Sequence, residues 1–248
     1  MLEDPAHYEP PRPPPATAPT LPEVCAARLR REIVSGERRP GSKLPSEREL
    51  AAQLGVTKPT LRSALHQLLA TKLLRVRQGS GYFVRDFVHD AGPGLLPELT
   101  SLASDQGHLP EVAAELLRVR RHLAMALLDR LVEVSPDLTP VDLAVDAFDD
   151  LARSGASPQA LASADAAIVH TLLSSSDSLV LQLCFNPVRQ VLEASPRLCA
   201  ALYATPEANT MGWRALVAWL REPTGDRQAL LQLLAARDAH TLTQLGAS

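Results

Sequence analysis

The chain has 248 residues, of which 46% are hydrophobic and only 4% aromatic, so it can hold two domains with cores of Leu, Ala and Val. No uncharged apolar run reaches the length of about 18 residues that suggests a membrane span, and the N-terminus lacks a secretory signal pattern. Three cysteines are few and odd in number, which is typical of a reduced cytoplasmic protein with inert thiols.

The formal net charge of −3 conceals an uneven distribution along the chain. Residues 20–90 hold 13 Lys and Arg against 7 Asp and Glu, a net charge of +6, whereas residues 91–248 hold 11 against 18, a net charge of −7. A basic segment joined to an acidic one favours a polyanion as the partner of the first segment only. Ordinary variation in surface charge is the alternative.

Residues 1–20 contain seven prolines, which predicts an extended or disordered tail rather than a helix or strand. A Pro-rich recognition motif is the alternative. A helix is predicted from Leu21, and Ser35-Gly36 ends it.

Two short helices separated by a tight turn follow. Ser46 is a good N-cap, and Glu49 three residues later completes a capping box, so the first helix is expected between Ser46 and Gly55. Thr57 caps the second helix, in which an apolar stripe predicts one buried face. The stripe consists of Leu61, Ala64, Leu65, Leu68 and Leu69.

The pattern continues with two predicted strands, Leu73 to Arg77 and Tyr82 to Arg85, joined by the hairpin signal Gln78-Gly79-Ser80-Gly81. Three helices and a hairpin within about 70 residues form the winged helix-turn-helix pattern. The second helix of such a pair fits the major groove of DNA, and the preceding helix positions it. The glycines of the hairpin would let the wing approach the duplex, and Gln78 can enter a groove.

An exposed face is predicted on the second helix of the pair. Lys58 and Arg62, one turn apart, can reach phosphates or the edge of a guanine. Thr57 and Thr60 lie near the helix N-terminus, which attracts phosphate, and Arg48 points toward the same surface. The alternative is a solvated polar face on a small core helix.

Four stretches resemble the GntR family of bacterial transcription regulators: PSERELA at 45–51, LGVT at 54–57, LRSAL at 61–65 and GSGYFV at 79–84. The resemblance covers residues 21–86 and implies a homodimer that reads an inverted repeat in double-stranded DNA. The positions that match the family's DNA contacts are Arg48, Thr57, Lys58, Thr60, Arg62, Gln78 and Gly79. Lys58 stands where many members have Arg, and Lys72 replaces a usual Gly, so Thr71 or Lys72 must turn the chain.

The rest of the chain predicts a linker over 91–108 and then an all-helical bundle over 109–248. Helices are expected at 110–134, 140–153, 158–175, 178–194, 207–221 and 226–244. Val119 is assigned to the apolar face of the first. The predicted fold class is therefore mainly α, with an N-terminal winged helix-turn-helix domain and a C-terminal helical bundle.

The bundle resembles the FadR-type subfamily of GntR regulators, through Leu117-Arg118-Val119-Arg120 and through Asp165 followed by Ile168-Val169-His170. This resemblance implies a helical ligand-binding domain. An aminotransferase-like domain would need a Schiff-base lysine, and no lysine follows Lys72. Because no other catalytic motif is found, we do not expect an enzyme.

Many members of that subfamily bind a metal through an Asp, a His four residues later and two further His. Here Asp165 is kept, but Val169, Trp213 and Arg237 stand at the other positions. The sequence therefore predicts neither a metal nor another cofactor. A metal site through His170 and His240, in another register, stays open as an alternative.

An arginine is expected to replace the metal. Arg237, with Arg120 in reserve, is predicted to form a salt bridge with Asp165 in a pocket partly walled by Trp213, and to hold a small anionic or acyl-bearing effector. One alternative is that both arginines form ordinary salt bridges. Another is that the second domain binds no ligand and only dimerises.

Overall fold

The computed structural model describes residues 18–223 and 227–246. The chain divides into two compact units, the first ending at Asp90 and the second beginning at Ala91. The Pro-rich tail predicted over 1–20 lies outside the described residues, except for residues 18–20.

Three helices form the body of the first unit: α1 (Leu21–Val34), α2 (Glu47–Leu54) and α3 (Lys58–Ala70). At the start of α2 the predicted capping box is present, because the Glu49 amide donates to Ser46 Oγ at 3.3 Å and the Ser46 amide donates to Glu49 Oε2 at 2.9 Å. Gly55 then adopts a left-handed conformation at a φ of 66°, which ends α2 and turns the chain toward α3.

The wing is an antiparallel hairpin of β1 (Leu74–Arg77) and β2 (Gly81–Val84), in which Leu74 lies opposite Val84. Residues 41–44 extend it, since the Leu44 amide donates to the Tyr82 carbonyl at 2.9 Å. Lys72 takes a φ of 58°, so this residue, and not Thr71, makes the left-handed turn after α3. A short helix, α4 (Phe87–Asp90), completes the first unit.

The apolar stripe of α3 packs against α1. Leu61, Ala64, Leu65 and Leu68 are fully buried, whereas Leu69 is only half-buried. Because one face of α3 is sealed in this way, the opposite face is held at the surface of the unit.

The second unit is formed by eight helices in the part of the chain that the structure describes. They are α5 (Leu96–Gln106), α6 (Leu109–Val134), α7 (Thr139–Arg153), α8 (Pro158–Ser175), α9 (Leu179–Ala194), α10 (Pro196–Leu202), α11 (Pro206–Arg221) and α12 (Arg227–Gly246). Their main core gathers around Phe148, Val141 and Ile168. The predicted fold class, a winged helix-turn-helix followed by a helical domain, is confirmed. No helix of the described ranges is both long and apolar enough to cross a membrane.

The second unit differs from the sequence prediction in two helices and one side chain. α5 occupies the segment 91–108 that was expected to be a linker, and α10 begins where a turn was expected. Both helices contain a proline in their first turn, where the missing amide hydrogen is tolerated. The prolines that suggested a linker and a turn therefore mark the starts of helices. Val119, assigned to the buried face of α6, is exposed.

The core of the first unit yields a stability prediction. We expect Leu65→Ala to destabilise the unit by about 2–5 kcal/mol, because it removes a fully buried side chain and leaves a cavity. The buried Cys25 of α1 can report the loss, since its thiol should become reactive at a lower urea concentration. The neighbouring exposed variant His66→Ala should leave that concentration unchanged. Equal behaviour of the two variants would show that α3 is not packed as described.

Candidate functional site

The exposed face of α3 carries the residues expected to read DNA. Lys58 and Arg62 are exposed, and His66 follows one turn later on the same face. Thr57 is the N-cap of α3, and its side chain accepts from the Thr60 amide at 3.4 Å. The two threonine hydroxyl oxygens lie 2.8 Å apart, so they form a polar pair at the positive end of the helix dipole.

The remaining predicted contacts lie on α2 and on the wing of the same unit. Arg48 is exposed on α2, and Gln78 and Gly79 are exposed in the hairpin turn. Gly79 has a φ of 73°, a conformation that suits glycine and keeps the tip of the wing narrow. Behind the tip, the Arg77 guanidinium stacks over the Phe83 ring at 4.5 Å, which stiffens the hairpin.

Sequence reasoning missed one link in this region. Arg62 Nε donates a hydrogen bond to Glu47 Oε2 at 2.8 Å, and Tyr82 Oη donates to Glu47 Oε1 at 3.4 Å. Glu47, the first residue of α2, therefore links this helix to α3 and to β2. Only the occurrence of an acidic residue inside a basic motif could have drawn attention to it.

The second unit contains a cavity of about 480 Å³ lined by α6, α8, α9, α11 and α12. Most of its lining consists of Leu, Val and Ala side chains. All four residues predicted to bind an effector lie in its wall: Arg120, Asp165, Trp213 and Arg237. The structure therefore brings together four residues that are far apart in the sequence.

Asp165 receives its direct hydrogen bond from Trp213, whose Nε1 donates to Asp165 Oδ1 at 2.7 Å. Burial raises the pKa of the Asp165 carboxyl, and the Trp213 hydrogen bond and the positive charge of Arg237 oppose that rise. The predicted salt bridge between Asp165 and Arg237 is wrong, since none of the ion pairs of the described residues joins them. The Trp213 indole N–H lies beside the carboxylate, and the positive charge of Arg237 stabilises the carboxylate from a greater distance.

Arg237 is a half-buried cation that faces the cavity. Burial lowers the pKa of its guanidinium, while the charge of Asp165 opposes that shift. Its Nη1 would lie 3.1 Å from a Cβ atom at position 212, so Gly212 provides the space that the side chain occupies. Within residues 18–223 and 227–246, the guanidinium makes no hydrogen bond or ion pair with another side chain.

Arg120 has a structural partner, which the sequence did not reveal. Its Nη2 donates to Asp238 Oδ1 at 2.6 Å, and Arg121 Nη1 donates to Asp238 Oδ2. Asp238 is buried, so the two arginines compensate a carboxylate that would otherwise be costly to remove from water. These contacts fix α12 against α6.

The residues around Asp165 do not form a metal site. Val169 occupies the position one turn along α8, and His170 and His240 are both exposed. His240 Nε2 lies 3.3 Å from Thr205 Oγ1, on another part of the unit. Among the described residues, no group of three or more His, Cys, Asp or Glu side chains could hold a metal ion.

The fold and the exposed helix define a DNA-binding protein of the winged helix-turn-helix class. Residues 22–84 match the model of the bacterial regulatory proteins of the gntR family. The HTH-type transcriptional regulator Mce2R of Mycobacterium tuberculosis is 31% identical over 232 residues, which cover 89% of this chain and 91% of the relative. The chain therefore belongs to the GntR family of bacterial transcription regulators, as the sequence predicted.

Two further comparisons concern the subfamily and the fold. A fatty acid metabolism regulator protein of Shewanella halifaxensis is 34% identical over 148 residues, or 59% of each chain, which agrees with the FadR-type resemblance. The solved structure of Lar, which controls the expression of the Listeria monocytogenes agr system, has a TM-score of 0.60. It covers 94% of this chain and 99% of its own at 14% identity, so it supports the fold alone.

The raised pKa of Asp165 predicts a specific pH dependence of stability. Because the folded protein holds this proton more tightly than the unfolded chain, stability is lost as pH rises from the ordinary carboxyl range through the raised pKa. We expect the wild type to lose stability relative to Asp165→Asn as pH rises above the ordinary carboxyl range, which lies at about 4. Thermal unfolding of both proteins across this rise in pH measures the difference.

Asp137→Asn is the matched control, because a hydrogen bond from the Thr139 amide lowers the pKa of Asp137. Relative to this variant, the wild type should gain stability as pH rises through the ordinary carboxyl range. The same sign for both carboxylates would contradict the description of the Asp165 environment.

Proposed function

We propose that the protein is a homodimeric transcription regulator that binds an inverted-repeat operator in the cytoplasm and is controlled by a small anionic or acyl-bearing effector. Membership in the GntR family supports the regulatory role, and its relatives are regulators rather than enzymes. The seven predicted DNA contacts all lie in the first unit. The four predicted effector contacts all line the cavity of the second unit.

Each DNA contact has a distinct role in this proposal. Arg62 and Lys58 read base edges or phosphates from the major groove, although lysine lacks the two-pronged donor geometry of arginine. Thr57 and Thr60 hold a phosphate at the N-terminus of α3. Arg48 adds a phosphate contact from α2, and Gln78 and Gly79 contact the adjacent groove from the wing.

The effector role rests on one observation, the half-buried Arg237 guanidinium that makes no hydrogen bond or ion pair with another described side chain. A desolvated cation with unused N–H donors favours a carboxylate or phosphate ligand. The apolar lining of the remaining cavity favours a hydrocarbon portion in the same molecule. Several relatives are named fatty acid metabolism regulators, which is consistent with an acyl-bearing effector.

Such an effector would alter DNA binding only if it binds the DNA-competent and DNA-released states with different affinity. The second possibility is a domain that binds no ligand and serves for dimerisation. Stabilisation by a bound ligand separates the two possibilities.

Arg62 provides the test of DNA reading. We expect Arg62→Ala to weaken binding to the preferred operator by about 1–3 kcal/mol, because a base-edge contact is lost. Fluorescence anisotropy on a duplex selected by the wild type from random sequences measures the change. Arg189→Ala removes the same charge from an exposed site on α9 and should bind normally. Wild-type affinity of the Arg62 variant, with an intact dimer, would sink the assignment.

Arg237 provides the test of effector binding. We expect decanoate to raise the thermal midpoint and change Trp213 fluorescence, while decanol of similar length does neither, because only the carboxylate can pair with Arg237. Arg237→Gln should weaken decanoate binding by about tenfold or more, and Arg153→Gln, at an exposed site on α7 outside the cavity, should leave it intact. A Trp219→Phe background isolates the Trp213 signal, since the chain has two tryptophans.

Equal responses to decanoate and decanol would argue against anion recognition. No response to decanoate, a decyl phosphate or any other amphiphilic anion would favour the domain that only dimerises.

A further inference from the structure

Glu47 is an acidic residue on the surface that should face DNA, and its carboxylate is held from two sides. Arg62 Nε donates to Oε2 at 2.8 Å, and Tyr82 Oη donates to Oε1 at 3.4 Å. The Arg62 side chain is 62% exposed and that of Glu47 26% exposed. Burial and the charge of Glu47 raise the pKa of Tyr82, so its hydroxyl remains a donor at neutral pH.

Stability does not explain this arrangement. An ion pair with so exposed a partner contributes little to folding, because water screens it. A glutamate is favourable near a helix N-terminus, but the first turn of α2 is already capped by the Ser46 and Glu49 pair. Close to a phosphate backbone, the extra negative charge of Glu47 would also repel DNA. The contact therefore requires an explanation from binding.

The geometry of Arg62 supplies that explanation. The hydrogen bond to Glu47 uses Nε, and neither Nη atom makes a hydrogen bond with another residue in the described part of the chain. Arginine reads guanine by donating to O6 and N7 from two nitrogens of its planar group. When Nε is held, the side chain loses much of its rotational freedom and the two terminal amino groups remain available.

We propose that Glu47 is a positioning residue that presents the Nη groups of Arg62 to a guanine, and that Tyr82 fixes the Glu47 carboxylate from the wing. This inference rests on the proposed reading of a base by Arg62. It adds that specificity depends on a residue that repels the phosphate backbone. Removal of Glu47 should therefore weaken binding to the correct site while binding to unrelated DNA stays equal or improves.

The experiment compares the affinity for the selected operator with the affinity for a scrambled duplex. We expect Glu47→Ala to weaken operator binding by about three- to tenfold. Its binding to the scrambled duplex should be unchanged or tighter, so the specificity ratio falls by at least as large a factor as the operator affinity. Glu47→Gln keeps an acceptor for Arg62 Nε and should recover part of the loss, and Tyr82→Phe should give a smaller loss in the same direction.

A double-mutant cycle separates this inference from the proposed function. In an Arg62→Ala background, Glu47→Ala should have no further effect on the specificity ratio, because there is no guanidinium to position. Glu37→Ala removes the same charge from an exposed loop residue and should leave the ratio unchanged. Circular dichroism and thermal unfolding verify that each variant is folded.

Each result has one meaning. Tighter operator binding by Glu47→Ala would overturn the inference and make Glu47 a restraint on Arg62. Additive effects of the Glu47 and Arg62 changes would also overturn it, because they show no coupling. If Arg62→Ala itself binds the operator normally, the proposed base contact fails, independently of Glu47.

Discussion

Burial of one face of α3 is the constraint on which the DNA-binding surface depends. Leu61, Ala64, Leu65 and Leu68 follow the helical period and must leave water together, so the rotation of α3 about its axis is fixed by the core. Lys58 and Arg62 lie off this stripe and are exposed as a consequence. The same four apolar positions therefore stabilise the fold of the unit and orient the helix face that is proposed to read DNA.

The second unit depends on a different constraint, the compensation of buried charges. Asp238 of α12 forms ion pairs with two arginines of α6, and these pairs connect two helices that are far apart in the sequence. Asp165 forms no such close ion pair; it accepts a hydrogen bond from Trp213, and the positive charges that stabilise it are more distant. Its neighbour Arg237 keeps unused donors. The close ion pairs of Asp238 hold the fold together. The absence of a close ion pair at Arg237 is the feature on which the proposed effector site depends.

The sequence could predict features that depend on neighbouring residues. Caps at Ser46 and Thr57, the apolar stripe of α3 and the hairpin turn are local, and the structure contains each of them. It could not predict the partners of Arg120, because Asp238 lies 118 residues away and no local pattern relates the two. The gathering of the four cavity residues came from the family resemblance, whereas the direct contact within it was assigned to the wrong donor.

That error has a physical reason with consequences for the site. A metal ion or an arginine placed against Asp165 would neutralise its charge, but the Trp213 indole donates a hydrogen bond without adding charge. The carboxyl therefore keeps a raised pKa, and the positive charge of Arg237 remains available instead of being consumed by a close ion pair. In the proposed effector site, a neutral donor beside Asp165 therefore leaves the positive charge of Arg237 to pair with an anionic ligand.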